Sequence, residues 1–417
     1  MKIFGFDFSR KGADLSIDQV IKRLEAAYAT SSGVVVTAEN CEESPTVQAI
    51  VNAISMRIAT LPVHVYQKKT SNNRESKELL PSHPVARLLQ KPNDWQTPVN
   101  YWMDATSCLV RHGRYCSVKA RGVTGPIRAL LPVHPSNWQL DQGEDLRVTA
   151  RVTSNYGNQR DYALSELHLV RGRARDFLNG DSPVMLAREA IALEIAAQRF
   201  GAAFFGNGAM PGLIFSYMQG VKGHTSKEQR DDFLQSFNSV YGKTGSFKAL
   251  FLPAGIDKPE QLNVENDKAQ FLETRKLQRS VIAGAFGVPP HLTGDLERAT
   301  FSNIEQMSSE FVEKVVLPYV RMFESAMERD LLTDEDRRSG VVVRFNLDAA
   351  LRADFKGRQE GLKIQREMGV ISADDWRENE NMNPLPPGKG GDVYWQQGPS
   401  GQNGGAENAQ QQAQRPT

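Results

Sequence analysis

Gly287-Val-Pro-Pro-His-Leu-Thr-Gly-Asp-Leu-Glu-Arg-Ala-Thr-Phe-Ser-Asn-Ile-Glu-Gln306 is the stretch on which the reading of this chain turns. Two helical patterns meet there across a short, stiff loop. Upstream, Asp267 to Val288 reads as one helix, with Leu277, Val281, Ile282 and Ala285 on one face and Glu273, Lys276 and Ser280 opposite. Pro289-Pro290 is expected to end it, because proline lacks an amide donor and disfavours helical geometry in the residue before it. Downstream, Ser302 or Asn303 is the expected cap of a second helix, with Glu305 and Gln306 in its first turn. That helix should run to about Leu332, carrying Ile304, Ser308, Phe311, Val315, Pro318 and Met322 at alternating steps of four and three.

Working outward, the helix from Asp267 to Val288 has a long counterpart upstream, from Pro183 to Phe205. Asp181-Ser-Pro183 supplies a cap and a first-turn proline, and Leu186, Ala190, Leu193, Ala197, Phe200 and Phe204 follow at heptad steps. Ile191 and Ile195 fall on the opposite side, so this helix carries two apolar faces. That suits a helix inside an oligomeric ring and equally a wholly buried core helix; periodicity does not separate the two. Between the two long helices lies a β-α-β pattern. It comprises a strand from Leu213 to Tyr217, a capping box Thr225-Ser-Lys-Glu228 opening a helix to about Tyr241, and a strand from Phe247 to Leu252. The helices could lie side by side with this insert at their far end.

The region from about Glu43 to Asp176 reads as α+β. Ser44-Pro45 opens an amphipathic helix through Ile50, Ile54 and Ile58; Pro62 to Tyr66 alternates like a strand; His83 to Leu89 and Thr97 to Leu109 are helical. Gly113 to Lys119, Ile127 to Val133, Asp145 to Val152 and Glu166 to Val170 suggest one small antiparallel sheet. Val34 to Val36 is a candidate edge strand, and a short helix from Ile17 to Tyr28 is expected in an otherwise mobile arm. After the downstream helix come a strand at Gly340 to Asn346, a helix from Leu351 to Met368, another from Ser372, and a low-complexity tail from Gly398 that cannot bury enough apolar area to order itself.

Composition narrows the function classes. The 417 residues carry 50 basic and 49 acidic side chains, a net charge of +1, which argues against a protein that grips duplex DNA by neutralising phosphates. A surface that DNA merely slides past is compatible with it. Cys41, Cys108 and Cys116 have no metal-ligand spacing and fit buried thiols of a reducing compartment. No signal-peptide core or membrane-spanning run is evident, so a cytoplasmic product is expected. Gly242-Lys243-Thr244 imitates part of a P-loop, but Phe237 stands where the first glycine is needed and the turn follows a helix. The seven histidines lack ligand spacing, and no nucleophile or orienting carboxylate accompanies His291 in a recognisable pattern, so packing or loop bracing is its expected role. The pairs Asp374-Asp375 and Asp231-Asp232 are expected on solvated helix faces. No catalytic residue, cofactor or metal is assigned.

The strings Ala269 to Arg275, Gly287 to Asp295 and Ala299 to Gln306 closely resemble the portal proteins of tailed bacteriophages, in the branch typical of long-tailed phages. In the same order come Val34 to Asn40, Ile58 to Tyr66, His83 to Leu89, Ser182 to Ala190, Phe204 to Ala209, Phe345 to Asp348 and Asn383 to Gly388. The resemblance implies an α+β portal fold assembling as a ring, usually of twelve subunits, through which the terminase pumps double-stranded DNA. It implies an N-terminal arm (1–40), a wing (41–182 and 304–348), stem helices (183–212 and 266–288), a clip (213–265), a tunnel loop (289–303), a crown (349–383) and a disordered tail (384–417). His291, Thr293, Arg298, Thr300, Ser302 and Asn303 would then face DNA. Lys268, Arg275, Lys276 and Arg279 would line the channel or pair between subunits. Lys227, Arg230 and Lys243 would meet partners at the clip. The implied partners are terminase large subunit, head–tail connector, major capsid and scaffold proteins, with no membrane, in the virion after synthesis in the host cytoplasm. An enzyme built on Gly242-Lys243-Thr244 is the alternative, and a monomeric DNA-binding adaptor a third reading.

Overall fold

A computed structural model describes residues 2–3, 6–7, 30–71, 74–122, 125–154, 156–206, 213–214, 231–232, 235, 260–261, 267–295, 301–347, 355–380, 382–386 and 388–394. They fall into two compact units, 1–346 and 347–417. The expected helix at Ile17 to Tyr28, the strand at Phe247 to Leu252 and the tail beyond Gly398 lie outside the described residues.

The larger unit opens with helix α1 (Pro45–Ala59). Ser44 caps it by accepting the Val47 amide, and Pro45 fills the first turn where no amide is needed. Its buried face is Val47, Ile50, Val51, Ile54 and Ile58. Strands β1 (Val63–Ser71) and β2 (Arg74–Leu79) form a hairpin. Helices α2 (Pro84–Gln90) and α3 (Pro98–His112) follow, the latter capped by Thr97 and ended by left-handed Gly113. Gly113 admits no side chain, because a Cβ there would lie 2.0 Å from the Asp181 carbonyl oxygen.

The later β-runs form two sheets where one was expected. Strands β3 (Arg114–Arg121) and β4 (Ile127–Val133) pair in one sheet with β8 (Leu167–Arg171), in the order β8-β3-β4. Strands β5 (Trp138–Gln142), β6 (Val148–Thr153) and β7 (Gln159–Ala163) make a separate meander. A 3-10 turn at Pro135–Asn137 separates them, since proline there removes a ladder donor. The two sheets share a core of Cys116, Trp138, Leu140, Ala150, Leu167 and Leu169. Val34 and Val36 are buried, but the segment forms no strand. Asn40 supplies its hydrogen bonds instead, donating to the Val35 carbonyl at 2.9 Å and accepting from the Thr37 amide at 2.7 Å.

Helix α4 (Pro183–Leu186) is one turn long and breaks at Ala187 before α5 (Arg188–Gly206), so the expected single helix is two. Helix α6 (Asp267–Ala285) returns antiparallel to the body, and α7 (Phe301–Phe311) passes through a π-helical segment, Val312–Val316, into α8 (Leu317–Asp330). Ser302 and Asn303 thus lie inside the first turn of α7, not at its cap. The wider ladder falls just before Pro318, which cannot donate to it. After α9 (Asp334–Arg338), β9 (Val341–Phe345) pairs antiparallel with β1. Trp102 stacks edge-on against Phe323 at 5.3 Å and Phe345 at 5.2 Å, fastening α3, α8 and β9 together.

Helix α8 closes the edges of two sheets. Glu324 accepts the Phe345 amide at 2.9 Å and Arg321 at 2.7 Å, while Glu328 accepts the Val343 amide at 3.2 Å. Asp330 accepts the Leu169 amide at 2.9 Å on β8 and is held by Arg329 and by His168, the latter at 3.2 Å. Burial would raise the Asp330 carboxyl, but these hydrogen bonds outweigh it and bring it down to about 2.

The smaller unit comprises α10 (Phe355–Glu367) and α11 (Ala373–Asn379). Trp376 donates to Gln359 at 3.3 Å across them. Asp374 and Asp375 are not merely solvated. Asp375 and Ser372 exchange backbone-to-side-chain bonds of 2.7 and 3.0 Å as a capping box, and Asp374 accepts the Leu385 amide at 2.7 Å.

Candidate functional site: a two-helix stem and its loop

Those of the residues singled out by sequence that the structure describes lie on α6, in the turn after it and at the start of α7. Helices α5 and α6 each have 19 residues, about 28 Å of rise, and the two pack against one another. Helix α5 is anchored to α1 by Glu194, which is 5% exposed. Its carboxylate accepts the Thr46 hydroxyl at 2.5 Å and the hydroxyl of Ser44, the α1 cap. One turn on, Arg199 donates to Glu43 at 2.8 Å. A carboxylate set over a helix N-terminus is favoured by its dipole, while Ser44 itself accepts the Val47 amide. Sequence reasoning missed Glu194; a lone Glu on an apolar heptad stretch is the available signal.

The burial of α5 excludes one of the two readings left open by its heptads, the wholly buried core helix. Ile191, Ala192 and Ile195 are the buried face, while Leu193 is 41% and Phe200 63% exposed. The heptad seam therefore faces away from the chain's own core. Beside it lies a hollow of ≈ 350 Å³ lined by Ser31, Ser32, Glu189, Ala190 and Leu193.

Helix α6 divides in the same way. Ile282 and Ala283 are buried, whereas Leu277 and Val281 are 60% and 47% exposed, so the four apolar residues assigned to one face do not share it. Arg275 and Arg279 are half-buried on the side of Ile282, and Lys276 is exposed. The stop is also different. Helix α6 ends at Ala285 because Gly287 is left-handed (φ 69°), with the Val288 amide bonded to the Ala283 carbonyl at 2.9 Å and the Gly287 amide to Gly284 at 3.1 Å. This is a Schellman ending, and Pro289-Pro290 only follows it.

The loop then makes a 3-10 turn, Pro290–Thr293, closed by left-handed Gly294. Thr293 donates its hydroxyl to the Pro290 carbonyl at 2.9 Å, so that hydroxyl braces the turn. His291 is half-buried, its Nδ1 has no hydrogen-bond partner, and burial pushes its pKa down. The turn and the π-helical segment both lie against α1. Arg298, Thr300, Lys227, Arg230 and Lys243 lie outside the described residues, and of Lys268, Ser302 and Asn303 only the helical backbone is described. Leu213–Ile214 pairs antiparallel with Glu260–Gln261 in the insert.

Among the described residues no His, Cys, Asp and Glu group could hold a metal ion, and no helix is long and apolar enough to cross a membrane. The three cysteines are free; burial raises the Cys41 and Cys116 thiols to about 12 and Cys108 to about 11. Such thiols are poor nucleophiles.

Comparison with known proteins places this geometry. The profile of the phage portal protein family matches residues 45–381. The portal protein of Enterobacteria phage HK97 is 30% identical over 358 residues, 84% of this chain and 81% of that one. Among solved structures, an HK97-family phage portal protein from Corynebacterium diphtheriae superposes with a TM-score of 0.55 at 18% identity, covering 76% of this chain and 96% of that one. A chain from the neck of a native gene transfer agent particle, computed with C12 symmetry, also gives 0.55 at 18% identity, covering 87% and 99%.

Proposed function

The chain belongs to the phage portal protein family, and from that premise we propose that it works as a ring-shaped conduit for genomic DNA at one vertex of a phage capsid. The observation that carries the reading is the stem. Two antiparallel helices stand on a clamped wing, with apolar side chains turned away from their own core, and a braced turn follows at the base. A monomer has no use for such a face. A ring covers it with a second copy.

In this reading α5 and α6 form the stem, the insert between them the clip, and the segment from Pro289 to Asn303 the loop at the channel. Lys276, on the exposed side of α6, is the stem cation best placed for DNA or a neighbouring subunit. Arg275 and Arg279, half-buried beside Ile282, serve the packing of the stem itself. His291 and Thr293 shape the loop, leaving Arg298, Thr300, Ser302 and Asn303 for weak, sequence-independent contact with the duplex. Weak contact suits the work, because each tight phosphate pair would slow a moving duplex. Terminase during packaging, and then head–tail connector proteins, would dock at the clip through Lys227, Arg230 and Lys243. Capsid and scaffold proteins would surround the wing in a virion component made in the host cytoplasm.

The test is native mass spectrometry with negative-stain imaging of the purified chain. Rings with an axial hole wide enough for a duplex, about 20 Å, are expected. A monomer at every concentration and salt tried would overturn the conduit reading.

A further inference from the structure

We propose that Glu39, His112 and His134 converge on the Pro135–Asn137 turn as a proton-sensitive clasp, which holds the segment before α1 to that turn at neutral pH and opens locally as protons are taken up. The clasp stands apart from the ring reading, since all its groups belong to one chain.

Ser136 is held from two sides. Its amide donates to His134 Nδ1 at 3.3 Å, and its hydroxyl donates to Glu39 Oε1 at 2.7 Å. His112, the last residue of α3, sets its ring edge-on against His134 with the centroids 5.4 Å apart. His112 Nε2 is buried and has no hydrogen-bond partner. Three titratable side chains from separate parts of the chain therefore meet at one turn. Each does its work in one protonation state. His134 accepts the Ser136 amide only while Nδ1 carries no proton, and Glu39 accepts best as the carboxylate. A proton on His112 Nε2 would sit buried without an acceptor and set a charge against a second imidazole.

The charges around the site act in the same sense. Burial pushes His112 down to about 4; Arg111, His134 and Arg114 push the same way, and Glu39 opposes them. Arg111 is itself paired with Glu42 at 3.3 Å, and Arg114 donates to Asn179 at 2.9 Å and to the Pro135 carbonyl at 2.8 Å. Partial burial would raise the Glu39 carboxyl, but the Ser136 hydroxyl, its own amide and His112 hold it below its ordinary value. Once the clasp opens, His112 meets water and returns to its ordinary 6.5. Below that pH the open form takes up a proton that the closed form refuses until about 4. Opening therefore gains about tenfold per pH unit between those values. Glu39 adds to this only below its ordinary 4.5. Val34, Val36, Ala38 and Cys41 stay buried in the same stretch, so the open form is a minor population, read by hydrogen exchange.

Backbone hydrogen exchange of the full chain, followed by mass spectrometry on material of one oligomeric state, tests the clasp. Rates are converted to protection factors, which removes the pH dependence of chemical exchange. Peptides over 34–43 and 134–138 should lose about fiftyfold of their protection between pH 7.5 and 4.5, while α1 keeps its own. His112→Phe keeps a buried ring without a titrating nitrogen, and its protection should change by no more than about twofold over that range. Where the larger ring disturbs the fold, His112→Gln should be equally flat. Glu39→Gln leaves an acceptor for Ser136 and leaves His112 in place, so it should stay as steep as the parent. A parent that is flat with pH, a parallel loss in α1, or a His112→Phe chain as steep as the parent would each overturn the clasp. So would a Glu39→Gln chain that is flat, because the proton would then belong to Glu39.

Discussion

Replacing Glu194 tests whether α5 is held to α1 by one buried carboxylate. In Glu194→Ala the hydroxyls of Ser44 and Thr46 lose their acceptor at a site where water is largely excluded. Hydrogen bonds to a charged group contribute about 1.5–3 kcal/mol each, while deleting the carboxylate returns its own desolvation cost. The net loss should be about 2–4 kcal/mol. Glu194→Gln keeps one carbonyl acceptor but brings an amide that Ser44 and Thr46 do not need as a donor, so about half that loss is expected. At about 2 °C per kcal/mol for a chain of this size, the midpoints should fall by about 4–8 °C and 2–4 °C. Thermal unfolding of the full chain, followed by circular dichroism, reads both. Ser44→Ala combined with Glu194→Ala should cost less than the sum of the two, because they share one bond. Full additivity, or a Gln variant no better than Ala, would refute the clamp.

Other outcomes follow from the same structure. The Asp330 carboxyl sits at about 2 in the folded chain against an ordinary 3.8, so its stabilisation is whole above about pH 4 and lost as pH falls through 2. Asp330→Asn should therefore unfold earlier than the parent at neutral pH, with the gap closing toward pH 2 in parallel thermal scans; a gap constant with pH would contradict this. Glu324→Ala should cost about 2–4 kcal/mol in urea titrations, since the Phe345 amide and Arg321 both lose their acceptor. A loss under about 1 kcal/mol would show that the β9 edge is sealed by something else. Gly287→Ala should lower the thermal midpoint by about 2 °C or more, because the site is left-handed and the new methyl meets Val315 Cγ2 at 3.4 Å. An unchanged midpoint would mean that the ending is not needed.

Much of this architecture was legible because local rules carry it. Ser44-Pro45, Thr97-Pro98 and Ser182-Pro183 each mark a helix start where the structure has one. Errors came where two signals competed or a tertiary contact decided. At the end of α6 the proline pair drew attention from Gly287, which acts three residues earlier by taking a conformation other residues avoid. Asn40 has no sequence mark that would separate it from a turn residue, yet it takes up the Val35 carbonyl and the Thr37 amide that a strand partner would pair. The division of Leu277 from Ile282 was invisible for a different reason. Hydrophobic periodicity reports that a residue is apolar, and cannot report whether its cover lies in the same chain or in another.

Why the copies should meet through helices follows from what happens at the sheet edges. An uncovered strand edge is a template for another chain. Here β9 is closed by Glu324 and Glu328, and β8 by Asp330, all from α8. The β2 edge carries Arg74, Glu75, Lys77 and Glu78, and charged side chains on an edge disfavour the addition of a second strand. Strand addition, the commonest accidental route to assembly, is thus obstructed at three edges. Helices α5 and α6 differ: Glu194 is turned inward, while Leu193, Phe200, Leu277 and Val281 are left exposed. In the ring we propose, it is therefore a helix face and not a strand edge that stays open to a second copy.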